Sequence, residues 1–262
     1  MRITMLMENT ACKEGLAFEH GLSLYIETER HKILFDMGQS GAFADNAEAM
    51  GIDLKKVDIA LLSHGHYDHG GGIRRFLEIN DRANVYLSES AFGSRWHGEK
   101  YIGLDDSLRE SKRLKFVSRQ TELSEGLVLR PGAAMTMRRP LSGEGLTVIE
   151  NGQHVQDDFR HETYLSVYED GKHVLFSGCS HRGIGNIMEA FAPDVLIGGF
   201  HFMKLYPNGE GREGLIEAAR ELLSYKTKYY TCHCTGEEQY RLMKETMGGA
   251  LAYFGGGMEI EI

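Results

Sequence analysis

Proline is scarce in this chain, with four among 262 residues, against 32 glycines. That ratio argues against disorder and for many tight turns and close backbone approaches. Cysteine is equally scarce. Cys12, Cys179, Cys232 and Cys234 are too few and too unevenly spaced for a disulfide framework. No stretch approaches the ~18 apolar residues that span a bilayer. The apolar segment Met1 to Met7 lacks the small-residue cleavage site of a signal peptide. The chain therefore reads as cytoplasmic, with no membrane partner.

Positive charge is also in short supply: 29 Lys and Arg face 38 Asp and Glu, a net −9. An enzyme that tracks nucleic-acid phosphates needs a basic face. The basic clusters, Arg109 to Arg119 and Arg138 with Arg139, read instead as a solvated helix face and a loop. A small molecule is the expected partner, and oligomeric state is open. The remaining composition, 42% hydrophobic and 26% charged, is ordinary for a globular protein.

What the chain does have is His64-Gly65-His66-Tyr67-Asp68-His69, followed by three glycines. The apolar run Val57 to Leu62 delivers this hexapeptide, as a buried strand delivers an active-site loop. Neutral imidazole and carboxylate suit zinc or a similar divalent metal, and two such ions need about six protein ligands.

The device recurs. Lys32 to Phe35 reads as a strand ending in Asp36-Met37-Gly38, and His173 to Phe176 as one ending in Ser177-Gly178-Cys179-Ser180-His181. Val195 to Ile197 runs into Gly198-Gly199-Phe200-His201, and Lys228 to Thr231 into Cys232-His233-Cys234. Helical spacing is expected over Ala42 to Met50, Ile73 to Ile79, Ile184 to Phe191 and about Glu213 to Tyr225. Thr235 and Glu238 have capping-box spacing, which starts a helix just after His233. Residues 90–160 lack clean periodicity and read as an insertion or cap on a single domain spanning 1–262. Two halves of similar character suggest two sheets packed face to face with helices outside.

The hexapeptide matches the His-x-His-x-Asp-His signature of the metallo-β-lactamase fold superfamily, and Asp36-Met37-Gly38 resembles its strand-end Asp-x-Gly. Within it, the chain is most similar to the branch of 7,8-dihydropterin-6-yl-methyl-4-(β-D-ribofuranosyl)aminobenzene 5'-phosphate synthase-like metallohydrolases. The matching stretches are Asp36 to Gly41, Leu62 to His69, Gly178 to His181, Gly198 to His201 and Cys232 to Gly236.

The resemblance implies an α+β fold, a four-layer αβ/βα sandwich with metals at one edge between the sheets. It implies that His64, His66 and His181 hold one divalent metal and Asp68, His69 and His233 a second. Zinc is expected, with manganese or iron compatible, and two such ions can share a water and lower its pKa towards 7. The family's usual bridging Asp is replaced here by Cys179, either a thiolate bridge or a small buried residue. Asp68 and His201 are the candidate catalytic residues. His201 is placed either to donate to developing negative charge or simply in a loop.

Asp36 either orients the ligand loop or caps a turn. Glu162, His161, Lys204 and Tyr206 are candidates to line the cleft, but each is expected to lie outside it. Cys232 and Cys234 flank His233 at period two and should face away from it. The expected function is a phosphodiesterase-like metal-dependent hydrolase that uses a metal-bridging hydroxide on a small anionic substrate, such as a phosphodiester or cyclic nucleotide. The alternatives are lactone or thioester hydrolysis, condensation or transfer on a phosphorylated pterin-type metabolite, and a metal-dependent ligand sensor.

Overall fold

A computed structural model describes residues 1–141 and 145–262. The strands of the first half are β1 (Arg2–Met7), β2 (Ser23–Glu27), β3 (Lys32–Phe35), β4 (Ile59–Leu61) and β5 (Asn84–Ser88). The middle of the chain gives β6 (Arg95–His97), β7 (Lys100–Tyr101), β8 (Leu114–Val117), β9 (Thr121–Ser124), β10 (Leu127–Pro131), β11 (Leu146–Glu150) and β12 (Gln153–Gln156). The second half adds β13 (Thr163–Glu169), β14 (Lys172–Phe176), β15 (Val195–Ile197), β16 (Lys228–Thr231), β17 (Leu251–Tyr253) and β18 (Glu259–Glu261). The helices are α1 (Ala42–Ala49), α2 (Tyr67–Gly70), α3 (Ile73–Ile79), α4 (Ile184–Phe191), α5 (Gly209–Leu222) and α6 (Glu237–Met247).

Two seven-stranded sheets form, in the orders β18-β1-β2-β3-β4-β5-β8 and β17-β16-β15-β14-β13-β10-β9. The halves share a pattern. In each, three strands pair antiparallel and the third then opens a parallel run: β1-β2-β3 before β4-β5-β8, and β10-β13-β14 before β15-β16-β17.

Strand alternation sorts the side chains into layers, because neighbouring residues point to opposite faces. Ile33 and Phe35 join Phe176 and Ile197 in the core between the sheets, where the Phe35 and Phe176 rings lie 5.9 Å apart. Leu34 faces the other way and packs with Phe43 of α1 and Phe76 of α3. On the far sheet, Leu175 and Leu196 turn outward against Ile187 of α4 and Leu215 of α5. Helix, sheet, sheet and helix thus make four layers, with the central strands β3, β4, β14 and β15 buried on both faces, which is why those strands read as continuous apolar runs.

The segment 90–160, expected as an insertion or cap, divides in three. β8 extends the first sheet, β9 and β10 extend the second, and β6, β7, β11 and β12 form a separate four-stranded sheet. The basic stretch Arg109 to Arg119 is not a helix face; it contains β8, whose Lys115 and Phe116 are exposed. Arg138 pairs with Glu189 and Arg139 with Glu221, so neither is set in a cationic groove. The capping box at Thr235 also does not form. Its hydroxyl accepts from Phe200 N at 2.8 Å, and α6 starts only at Glu237, after a 3₁₀ turn over His233–Thr235. Among the described residues, no helix is long and apolar enough to cross a membrane.

Candidate metal centre

The carboxyl ends of the parallel strands meet at one edge. Asp36 follows β3, His64 to His69 follow β4, Cys179 and His181 follow β14, His201 follows β15 and His233 follows β16. Open α/β sheets place ligands at this end of their strands. The two halves meet closely there. A Cβ on Gly178 would lie 2.2 Å from Ser63 Oγ, and one on Gly65 2.0 Å from Ala91 O, so only glycine fits at either position. Asp36, Ser180, His201 and His233 all hold positive φ, at 60°, 57°, 57° and 48°. Non-glycine residues adopt this conformation at a cost of about 1–3 kcal/mol, and such residues cluster at functional sites.

Asp36 is fully buried. Its Oδ1 accepts from Ser63 N at 2.7 Å, and its Oδ2 accepts from Ser63 Oγ at 2.7 Å and lies 2.6 Å from His69 Nδ1. Ser63 Oγ in turn lies 2.8 Å from His64 Nδ1. Asn9 Oδ1 does the same for His233, at 2.8 Å from Nδ1. Since a carboxylate and an amide oxygen only accept, His69 and His233 carry hydrogen on Nδ1 in their neutral forms, leaving Nε2 as a donor of electrons. Those two Nε2 atoms face each other at 3.2 Å, with Cys179 Sγ 3.1 Å from His69 Nε2 and Asp68 Oδ2 3.4 Å from His233 Nε2.

Acceptors converge on the other side of Cys179 too. His64 Nε2, His66 Nε2 and both ring nitrogens of His181 are buried and make no hydrogen bond. The ligand atoms of His64, Cys179 and His181 lie within 4.8 Å of one another, as do those of His69, Cys179 and His233, and those of His20, Asp68 and His233. Buried imidazoles are normally hydrogen-bonded; orphaned nitrogens beside a thiol and a carboxylate are a donor set that fits divalent metal. Cys179 belongs to two of these groups.

The structure thus brings together His64, His66, Asp68, His69, Cys179, His181 and His233, with Asp36 behind them. The grouping differs in detail from the expected one. His66 has its ring 4.6 Å from His64 and 4.8 Å from His181, but its ligand atom groups with Asp157 and His161. That group does not suit a cation, because Arg95 Nε already donates to Asp157 Oδ2 at 2.9 Å. His161 instead accepts from Gly65 N at 2.9 Å and so steadies the ligand loop. His201 lies in the cleft wall, its ring 4.1 Å from His181.

Several residues at the site either had no sequence signal or were expected to lie outside it. His20, from the loop between β1 and β2, reaches Asp68 Oδ2 at 3.3 Å. Glu162 Oε1 accepts from His181 N at 2.6 Å, its Oε2 accepts from Tyr164 OH at 2.7 Å, and Phe159 stacks on the His181 ring at 4.6 Å. Glu8 Oε1 accepts from His233 N at 2.7 Å. Lys204, unexpected here, lines the cleft, whereas Tyr206 is 75% exposed. Cys232 faces the inter-sheet core as expected, but Cys234 lines the cleft. The 3₁₀ turn at His233 breaks the period-two alternation that would have turned Cys234 away.

Burial sets the charges. It holds the imidazoles of His64, His66 and His181 well below their usual range and takes His233 down to about 4. Burial opposes ionisation of Asp68, but His69 first, and then His20 and His233 beside it, outweigh it and hold the carboxyl well below its usual value. For His69, burial is outweighed by Asp36 and Asp68, and its pKa is raised. Burial pushes the Cys179 thiol far up, so it ionises only against a cation.

These shifts fix a pH dependence for the chelator-treated protein. A histidine depressed by folding binds fewer protons folded than unfolded, so stability falls as pH drops below the unfolded value near 6.5. For His233 the loss continues to about pH 4. His69 acts in the opposite sense, but four depressed histidines outweigh one raised. The melting temperature without metal should therefore fall from pH 7.5 to 5.0. A flat or rising profile would contradict buried neutral imidazoles.

Around the histidines runs a cleft of about 230 Å³. Comparison with known proteins agrees with this fold. Residues 16–232 match the family model of the metallo-beta-lactamase superfamily. The chain is 30% identical to Tm1679, whose crystal structure is described as a metal-dependent hydrolase of the beta-lactamase superfamily; the match covers 100% of this chain and 99% of that one, with a TM-score of 0.85. It is 28% identical over 255 residues to the 7,8-dihydropterin-6-methyl-4-(beta-D-ribofuranosyl)-aminobenzene-5'-phosphate synthase of Methanocaldococcus jannaschii, covering 87% of this chain and 84% of that protein. It is 29% identical over 217 residues to the uncharacterized protein MJ0448 of the same organism, covering 79% and 81%. Fold, strand-end ligand loops and family match lead to one conclusion: the chain belongs to the metallo-beta-lactamase superfamily.

Proposed function

We propose that this protein is a dinuclear metal-dependent hydrolase of small anionic substrates, with phosphodiesters first among them. The observation that carries the reading is the convergence of four buried imidazoles, His64, His181, His69 and His233, on Cys179, with the Asp68 carboxylate beside His233. His64, His66 and His181 with Cys179 would hold one ion, and Asp68, His69 and His233 with the same cysteine the other. Zinc suits this mixture of imidazole, thiolate and carboxylate. Bound ions would supply Lewis acidity and a water of pKa near 7.

The chain's own residues supply orientation and charge. Asp36 and Asn9 fix the ring faces of His69 and His233. His201, against His181 in the cleft wall, is positioned to donate a hydrogen bond to an oxygen on which negative charge develops. Asp68 stays ionised and accepts from His20, which keeps its carboxylate aimed at the cleft. The cleft lining holds two lysines against the one carboxylate of Asp68 among the described residues, in a chain of net charge −9. Such local concentration of positive charge favours an anion.

The test is turnover of bis-p-nitrophenyl phosphate by fully metallated protein. It should disappear with chelator and fall by at least ~10³-fold in His66→Ala, as expected when a reaction depends on the lost group. Metallated protein that cleaves neither phosphodiesters nor lactones would rule the hydrolase reading out. The likeness to a synthase favours a second reading, condensation or transfer on a phosphorylated pterin-type metabolite, at the same site.

A further inference from the structure

The cleft has two unlike walls. One is the buried histidine cluster. The other comes largely from the separate sheet: His97 of β6, Lys100 of β7, Ile102 just after it and Leu146 of β11 all line the cleft, joined by Met203 and Lys204 from the loop after β15. His66, His181 and His233 are buried, whereas His97, Lys100 and Lys204 are exposed, so the ammonium groups sit at the open end and the candidate ligands at the closed end. Lys204 Nζ lies 3.0 Å from His97 Nε2. Lys100 Nζ donates to Tyr67 OH at 2.6 Å and lies 4.4 Å from the centre of that ring. Tyr67 opens α2, next to Asp68, and so couples the outer wall to the ligand loop.

Resting on the reading that this cleft is the active site, we propose that Lys100 and Lys204, with His97, form a phosphomonoester-binding subsite at its mouth. Two ammonium groups and an imidazole match a dianion with three acceptor oxygens, and lysine binds phosphate as a compact point charge. Ile102, Leu146 and Met203 in the same cleft would then contact an uncharged body. The substrate class is a small metabolite with a terminal phosphate at one end and its reacting group at the other. The separate sheet, which supplies most of this wall, would set specificity.

Phosphate could also bind at the metals, so the experiment must separate the two places. Inorganic phosphate is titrated calorimetrically into the full chain, metal-loaded and after chelator, and into Lys100→Gln/Lys204→Gln. Both lysines are exposed, and a melting curve checks that the double variant is folded. The subsite predicts phosphate binding that survives chelator in the wild type and weakens by at least ~10-fold in the double variant, the loss expected for charged hydrogen bonds. Binding that vanishes with chelator, is unchanged in the double variant or is equalled by acetate would overturn it. Absent turnover of both bis-p-nitrophenyl phosphate and lactones by the metal-loaded wild type would sink the hydrolase reading alone, since the phosphate titration is independent of any reaction.

Discussion

Replacing Asp36 with Asn is expected to lower metal affinity by about 10–100-fold while leaving the protein folded. Asn keeps the shape and tolerates the left-handed backbone at φ 60°, as few other side chains do. What it loses is the charge that the His69 imidazole faces at 2.6 Å. Its amide can still accept from Ser63 N, but the nitrogen cannot also accept from Ser63 Oγ and His69 Nδ1. Asp36→Ala should be far worse, by about 3–5 kcal/mol. It strands three buried polar groups and places a Cβ without a compensating hydrogen bond at positive φ. Competition titration with a metal-sensitive dye measures the first effect, and denaturant melts of chelated protein measure the second. An Asn variant with wild-type metal affinity would reduce Asp36 to a turn cap.

Cys179→Ala should strip metal more completely than Asp36→Asn, by more than ~100-fold, because it removes a donor rather than a donor's partner. Its Sγ is common to the His64–His181 and His69–His233 groups, so both ions would feel the loss. Cys179→Asp should restore binding, since a carboxylate can address both sides as a bridging thiolate would. Cobalt loading reports the sulfur directly. The wild type should show a thiolate-to-cobalt charge-transfer band that Cys179→Asp lacks at equal metal content. A Cys179→Ala protein that keeps its metal would leave Cys179 a small buried residue and nothing more.

How much of this was legible in advance follows from distance along the chain. His64, His66, Asp68 and His69 fall within six residues of local pattern, and the strand-end histidines His181, His201 and His233 follow runs that read as buried strands. Asp36 stood out for the same reason. His20, Asn9, Glu8 and Glu162 did not, because their partners are set by sheet packing: Glu8 meets His233 across 225 residues of sequence. β8 escaped detection because two of its four residues are exposed, which leaves no alternation to read. Thr235 misled because its local capping partner loses to Phe200 N, brought in by the neighbouring parallel strand. Local chemistry was readable, and contacts made by the sheets were not.

The central claim is a two-ion centre built jointly by the halves of the chain, and metal stoichiometry by elemental analysis tests it most directly. Purified wild type reconstituted with zinc should hold about two ions per chain. His66→Ala and His233→Ala, one from each half, should each fall towards about one or none while remaining folded by circular dichroism. Wild type that binds no zinc, or variants that keep the full complement, would contradict it.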